Sequence, residues 1–229
     1  MNSLCLAIDT STDYASLALL DGDALVFELT WLARQNHTVE LLPYLNYLLT
    51  QHHLSLKEVG TIIVAKGPGS FNGTRVGVSV AKGLAMSLGI PLVGVNSLAV
   101  TAYPHGITGL PVSPVFNAGR GEIATALYQM KNDAWLELKE PYITTLGNLV
   151  KSVTRKTVFC GEFIPQIEKE LKDRLGAKAV IPPPAANLRR ASCLAELGRR
   201  LLQSGLGDDP ATLEPVYLRR PAITQPKKR

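Results

Sequence analysis

Residues 65–84 read AKGPGSFNGTRVGVSVAKGL, a glycine-rich junction between an apolar run and a helical pattern. TIIVAKG (61–67), which overlaps its start, is short, β-branched and apolar, so it predicts an interior strand. A helical pattern runs from about Thr74 to Leu88. Between them lie Gly67, Gly69 and Gly73. Glycine lets backbone approach backbone, or backbone approach a ligand. A strand–loop–helix junction also presents amides at a helix N-terminus, where an anion can sit. The stretch is not a P-loop: the sixth residue counted from Gly67 is Asn72, with no Lys-Ser/Thr pair after it. Nor is it a dinucleotide fingerprint, because Asn72 stands where the third glycine is required. Gly73, Gly77, Ala81 and Ala85 recur every four residues and share one helix face with little side-chain volume. Such a face admits a close neighbour, whether a partner helix or the protein's own sheet.

Upstream, LCLAI (4–8), ASLALL (15–20) and ALVFELT (24–30) predict three strands, the last two joined by the turn signal DGD. Leu41, Leu42, Leu45, Leu48 and Leu49 recur at helical spacing, with Thr38 as the expected cap and Pro43 as a kink near the start. PLVGV (91–95) predicts a fifth strand, so the first half reads β-β-β-α-β-α-β, a sheet extended through helical crossovers. Downstream, VSPVF and EIATALYQM flank NAGRG as a hairpin, and TVFCG (157–161) precedes a charged helix to about Leu175. PPPAAN (182–187) reads as a rigid connector, 188–204 as a helix and LEPVYLRR (213–220) as an extended tail. The sequence shows no internal repeat.

The 229 residues allow one large domain or two small ones, and we place a boundary near residue 100. An apolar fraction of 46% with 19% charged residues is that of an ordinary globular chain. No apolar run approaches a membrane span, and Asp9 interrupts the only apolar N-terminal stretch, so a cytoplasmic protein is expected. Cys5, Cys160 and Cys193 are odd in number and far apart, which predicts free thiols. Residues 1–150 carry 8 basic against 11 acidic side chains, and residues 151–229 carry 16 against 8. The basic residues come as doublets, including Arg189-Arg190, Arg199-Arg200 and Arg219-Arg220. They suit either a phosphate-binding patch or solvated helix faces.

Asp9, Thr10 and Ser11, at the end of the first strand, could orient a phosphate together with Gly67 and Gly69, or form a simple Asx turn. Four histidines without metal-ligand spacing make a zinc or iron site unexpected.

LAIDTST, KGPGSFNGTRVGVSVAKGLA, PLVGVNSL and LEPVYLR, in this order, resemble the TsaB (YeaZ) family along the whole chain. The resemblance implies a two-lobed α/β chain of the actin-like, sugar-kinase-like ATPase (ribonuclease H-like) superfold. It implies a role in making threonylcarbamoyladenosine, the modified base beside the anticodon in tRNAs for codons starting with A. The paralogue TsaD transfers the threonylcarbamoyl group, TsaB supports it, and the ATPase TsaE joins them. In the paralogue, two histidines four residues apart follow the strand that matches PLVGV; here Ser97 and Thr101 stand there. The chain is therefore expected to be a non-catalytic subunit that binds no cofactor alone, with ATP or ADP conceivable at the interface of the complex.

In the family, the first-lobe helices meet TsaD, and a similar surface forms a homodimer when TsaD is absent. This places Gly73, Gly77, Val80, Ala81, Leu84, Ala85, Leu41 and Leu45 at the expected interface, and Arg199, Arg200, Arg219 and Arg220 as expected tRNA contacts. Asn72 replaces the family's usual threonine, and Asn117 and Gly119 depart from its Asp-Ala-Arg turn. A sugar-kinase-type ATPase or phosphotransferase is the competing reading, and a peptidase a weaker one. The ATPase would need a second acidic residue and a second phosphate loop, and the peptidase a metal pair or a nucleophile–base pair.

Overall fold

Alternation of large and small apolar residues along the first strands sets the layering. In this computed structural model, which describes residues 4–219, β1 (Leu4–Asp9) turns Cys5 and Ala7 to one face and Leu6 and Ile8 to the other. β2 (Tyr14–Asp21) and β3 (Ala24–Leu32) continue as an antiparallel meander. β4 (Val59–Ala65) and β5 (Leu92–Val95) add in parallel, giving the order β3-β2-β1-β4-β5. The large face is covered by α1 (His37–Gln51) and α2 (Phe71–Leu88). α2 starts three residues earlier than the pattern suggested, because Ser70 caps it by accepting from the Gly73 amide. Asn36, not Thr38, precedes α1, without a side-chain cap, and Pro43 lies inside the helix.

The second sheet repeats the first. β6 (Val112–Gly119), β7 (Glu122–Lys131) and β8 (Ala134–Thr145) form a meander. β9 (Thr157–Cys160) and β10 (Ala179–Val180) pair in parallel beyond β6, giving β10-β9-β6-β7-β8. α4 (Leu146–Ser152) and α5 (Ile164–Leu175) cover its outer face, in the positions α1 and α2 hold on the first sheet. The repeat escapes the sequence because each unit needs only alternating apolar residues.

The last helix of each unit is exchanged. α3 (Ser97–Ala102) follows the first sheet but packs on β6 and β7. α6 (Ala191–Gln203) follows the second sheet but packs on β1, β2, β4 and β5. The small side chains of Cys5, Ala7 and Ala18 let α6 approach so closely that a Cβ on Gly198 would lie 2.3 Å from Ile63. The order of layers is α1/α2, first sheet, α3/α6, second sheet, α4/α5, which is the two-lobed α/β architecture expected. A boundary near residue 100 separates the sheets but not the packing. Asp208 accepts from the Gly94 amide at 2.8 Å, and the Val216 amide donates to the Lys66 carbonyl at 2.7 Å, so the end of the chain returns to the first lobe.

Candidate functional site

Each sheet ends its first strand in the same device. Asp9 Oδ1 accepts from the Ser11 amide at 2.8 Å, and Asn117 Oδ1 accepts from the Gly119 amide at 2.8 Å. These Asx turns face each other across a cleft of about 420 Å³ whose walls include Ser11, Thr12, Asp13, Asn117 and Glu162. The groups expected to hold a phosphate are brought together here and bond mostly to one another, while Asp9 Oδ2 is buried without a hydrogen-bond partner. Ser11 Oγ donates to Asp9 at 2.6 Å and lies 3.0 Å from Ser97 Oγ, which accepts from the Gly67 amide at 3.1 Å. Thr10 Oγ1 donates to the Gly73 carbonyl at 2.7 Å.

The glycines serve the same contact. A Cβ on Gly69 would lie 2.1 Å from the Ser11 carbonyl oxygen, and one on Gly73 would lie 2.1 Å from that of Thr10. Gly67 has φ +95° and runs against Val216 of the returning tail. Backbone approaches backbone here, and carbonyl oxygens fill the space that side chains would occupy.

Arg189 bridges the two lobes beneath the cleft. Its buried guanidinium lies 3.5 Å from Asp9 and 3.8 Å from Glu162, over the Phe116 ring. Burial pushes the Glu162 carboxyl above the usual carboxylate range, and Arg189 opposes that rise. Sequence reasoning saw Arg189 only as half of a basic doublet.

Ser97 and Thr101 are buried in α3, where Thr101 Oγ1 donates to the Ser97 carbonyl at 2.9 Å. Among the described residues, no group of three or more His, Cys, Asp or Glu is placed to hold a metal ion.

The small-residue stripe corrects one expectation. Gly73, Gly77, Ala81 and Ala85 are buried against the chain's own β1 loop and first sheet; a Cβ on Gly77 would lie 2.4 Å from Thr10 Oγ1. Leu41 and Leu45 are buried in the same core. These six residues form no open interface, because the face that admits a close neighbour is already used by the sheet. Val80 and Leu84 are half-buried, and with Val76 they border the outer side of α2, beside exposed Gly83, whose Cβ position is open space. On the solvent side of α1 and α2, Val39 is 68% exposed, Tyr47 57% and Met86 63%. The available signal was that α1 carries apolar residues all round, which a helix with one buried face does not need.

The described arginines of the basic doublets pair with the chain's own groups. Arg199 is bound to Gly22 and Asp23, Arg200 donates to the Asp133 carbonyl at 3.2 Å, and Arg219 pairs with Glu122. Arg190 pairs with Glu28. Arg220 and the basic residues 227–229 lie outside the described residues.

Burial pushes the Cys5 thiol up to about 12 and Cys193 to about 11, and raises Cys160 as well. The thiolate is the reactive form, so at pH 8 none of the three should be alkylated by iodoacetamide in the folded chain. Mass spectrometry should find all three modified after unfolding; rapid native labelling of Cys5 would contradict the packing.

A family model described as TsaD, tRNA N6-adenosine threonylcarbamoyltransferase, matches residues 31–226. The tRNA threonylcarbamoyladenosine biosynthesis protein TsaB of Bacillus subtilis is 36% identical over 218 residues, covering 93% of each chain. TsaB of Escherichia coli is 29% identical over 227 residues, covering 93% of this chain and 94% of its own. Among solved structures, a Pseudomonas aeruginosa protein described as similar to the peptidase YEAZ superposes with TM-score 0.80 at 26% identity, covering 95% of this chain and 100% of that one.

Proposed function

The chain belongs to the TsaB family of tRNA threonylcarbamoyladenosine biosynthesis proteins, and from that premise we propose that it is the non-catalytic partner of a TsaD subunit. One observation carries the reading: large apolar side chains stand exposed on α1 and α2, and α2 also carries an exposed glycine, Gly83. Leu42, Tyr47 and Met86 are each more than 45% exposed, and Val76, Val80 and Leu84 on α2 are half-buried. An unpaired glycine inside a helix costs about 1 kcal/mol relative to alanine. Gly83 has nothing within 4 Å of its Cβ position, so no contact among the described residues accounts for it. A helix from TsaD packed across Val80, Gly83 and Leu84 would. The same surface would join two copies when TsaD is absent, and TsaE and tRNA would then meet this chain through the assembled complex.

Catalysis by TsaD alone is consistent with Ser97 and Thr101, whose hydroxyls are engaged inside the fold. The isolated chain is expected to transfer no threonylcarbamoyl group and to carry no stoichiometric iron or zinc. Elemental analysis of the purified chain checks the second point, and one tightly bound metal per chain would contradict it. A nucleotide-binding assay, with and without TsaD, separates this reading from the sugar-kinase alternative. Stoichiometric ATP binding and turnover by the chain alone would favour the alternative.

A further inference from the structure

A second cavity, of about 530 Å³, shares no residue with the cleft between the Asx turns. It lies between α6, the start of α3 and the β7–β8 hairpin. Its size is within the range of small-molecule sites, roughly 300–1,000 Å³. Ala99, Leu197 and Leu201 supply apolar wall, and Tyr128 and Trp135 supply aromatic wall. Tyr128 stacks on Trp135, with ring centroids 5.4 Å apart and planes at 10°.

The polar groups of this wall are incomplete. Tyr128 is 1% exposed, yet its hydroxyl has no hydrogen-bond partner. Trp135 Nε1 is likewise buried and unpaired. Buried donors are almost always satisfied, by protein or by something bound. Glu137 pairs with Tyr128 across the strands and also lines the cavity. Trp135, two residues before Glu137 on β8, shares its face of the sheet. Burial first, and then the Glu137 carboxylate, which stands close enough to attract the hydroxyl hydrogen, raise the pKa of the Tyr128 phenol, so that hydroxyl remains a donor, turned toward Glu137. The wall's one cation, Arg200, is exposed; one of its nitrogens donates to the Asp133 carbonyl at 3.2 Å, and the guanidinium lies 5.8 Å from the Tyr103 ring centroid. The cavity thus offers the Trp135 indole donor, the Tyr128 hydroxyl beside the Glu137 carboxylate, and a flat aromatic surface. That combination suits a neutral planar molecule and disfavours a phosphate.

We propose that this cavity binds a neutral nucleobase-like heterocycle, with an acceptor toward Trp135 Nε1 and Tyr128 Oη and an amino group toward the Glu137 carboxylate.

The chain has two tryptophans, so a spectrum of the folded protein labelled with 15N-tryptophan holds two indole signals. Trp31 Nε1 already donates to Glu40 at 2.9 Å and serves as the internal control. Titration with adenosine is expected to move the Trp135 signal saturably while the Trp31 signal stays. Tyr128→Phe, which deletes only the hydroxyl, should weaken binding by about tenfold or more. Glu137→Gln, at an exposed position, should weaken binding of adenosine more than that of inosine, which lacks the amino group. The Glu137 variant keeps the test open should Tyr128→Phe fail to fold. The proposal is overturned if adenosine, guanosine, cytidine and uridine all leave Trp135 unmoved at millimolar concentration. It is also overturned if both indole signals shift together, or if a folded Tyr128→Phe or Glu137→Gln variant binds as the parent does.

Discussion

Gly73→Ala is expected to destabilise the isolated chain by about 3 kcal/mol or more, the upper range for forcing volume into a packed core. The added Cβ would lie 2.1 Å from the Thr10 carbonyl oxygen, a backbone atom of the β1 loop. α2 cannot simply retreat, because Thr10 Oγ1 holds the Gly73 carbonyl at 2.7 Å and the Ser70 amide holds the Ser11 carbonyl at 2.7 Å. Gly83→Ala is the control on the same helix. With open space at that position it should stabilise the isolated chain by about 0.5–1 kcal/mol, through its effect on the unfolded chain. Urea unfolding of both variants measures the contrast. Equal midpoints would show that the stripe is not packed as described.

Arg189→Ala is expected to cost about 3–5 kcal/mol, because it leaves the buried Asp9 carboxylate and the half-buried Glu162 carboxylate without their shared cation. The loss should depend on pH. Burial already raises the Glu162 carboxyl in the folded chain, and removing Arg189 removes the influence that opposes the rise. A carboxyl raised on folding binds its proton more readily in the folded than in the unfolded state, so stability falls as pH rises through its folded value. The variant should therefore recover part of its deficit as the pH is lowered through the carboxylate range, as far as the parent itself remains folded. A deficit that is small and flat with pH would show that the lobes do not rely on this cluster.

The parts of the fold that rest on periodicity were legible. Strands β1 to β7 and β9 announce themselves by short apolar runs between turn residues. β8 did not, because WLELKEPY is an exposed edge strand whose charges and proline look like a loop. α3 is six residues long, too short for helical spacing to show. The exchange of α3 and α6 between the sheets leaves no local trace at all. At the proposed partner site, spacing correctly placed Gly73, Gly77, Ala81 and Ala85 on one face of α2 but could not say which way that face turns. The answer lay in Thr10, some sixty residues away in sequence, whose carbonyl and hydroxyl oxygens take the space beside Gly73 and Gly77. Arg189 was hidden for a similar reason: its neighbours, Asp9 and Glu162, come from different lobes.

On the function proposed above, the outer side of α1 and α2, not the glycine stripe, receives TsaD. That reading is tested most directly by measuring the affinity of the chain for its cognate TsaD by calorimetry, for the parent and for a Val80→Glu, Leu84→Glu double variant. Both substitutions fall on half-buried positions at the edge of the outer face, so the melting temperature of each chain is recorded alongside. The account predicts a folded variant whose affinity falls by about a hundredfold or more, which is roughly 2.7 kcal/mol. A folded variant that binds TsaD as tightly as the parent does would contradict it.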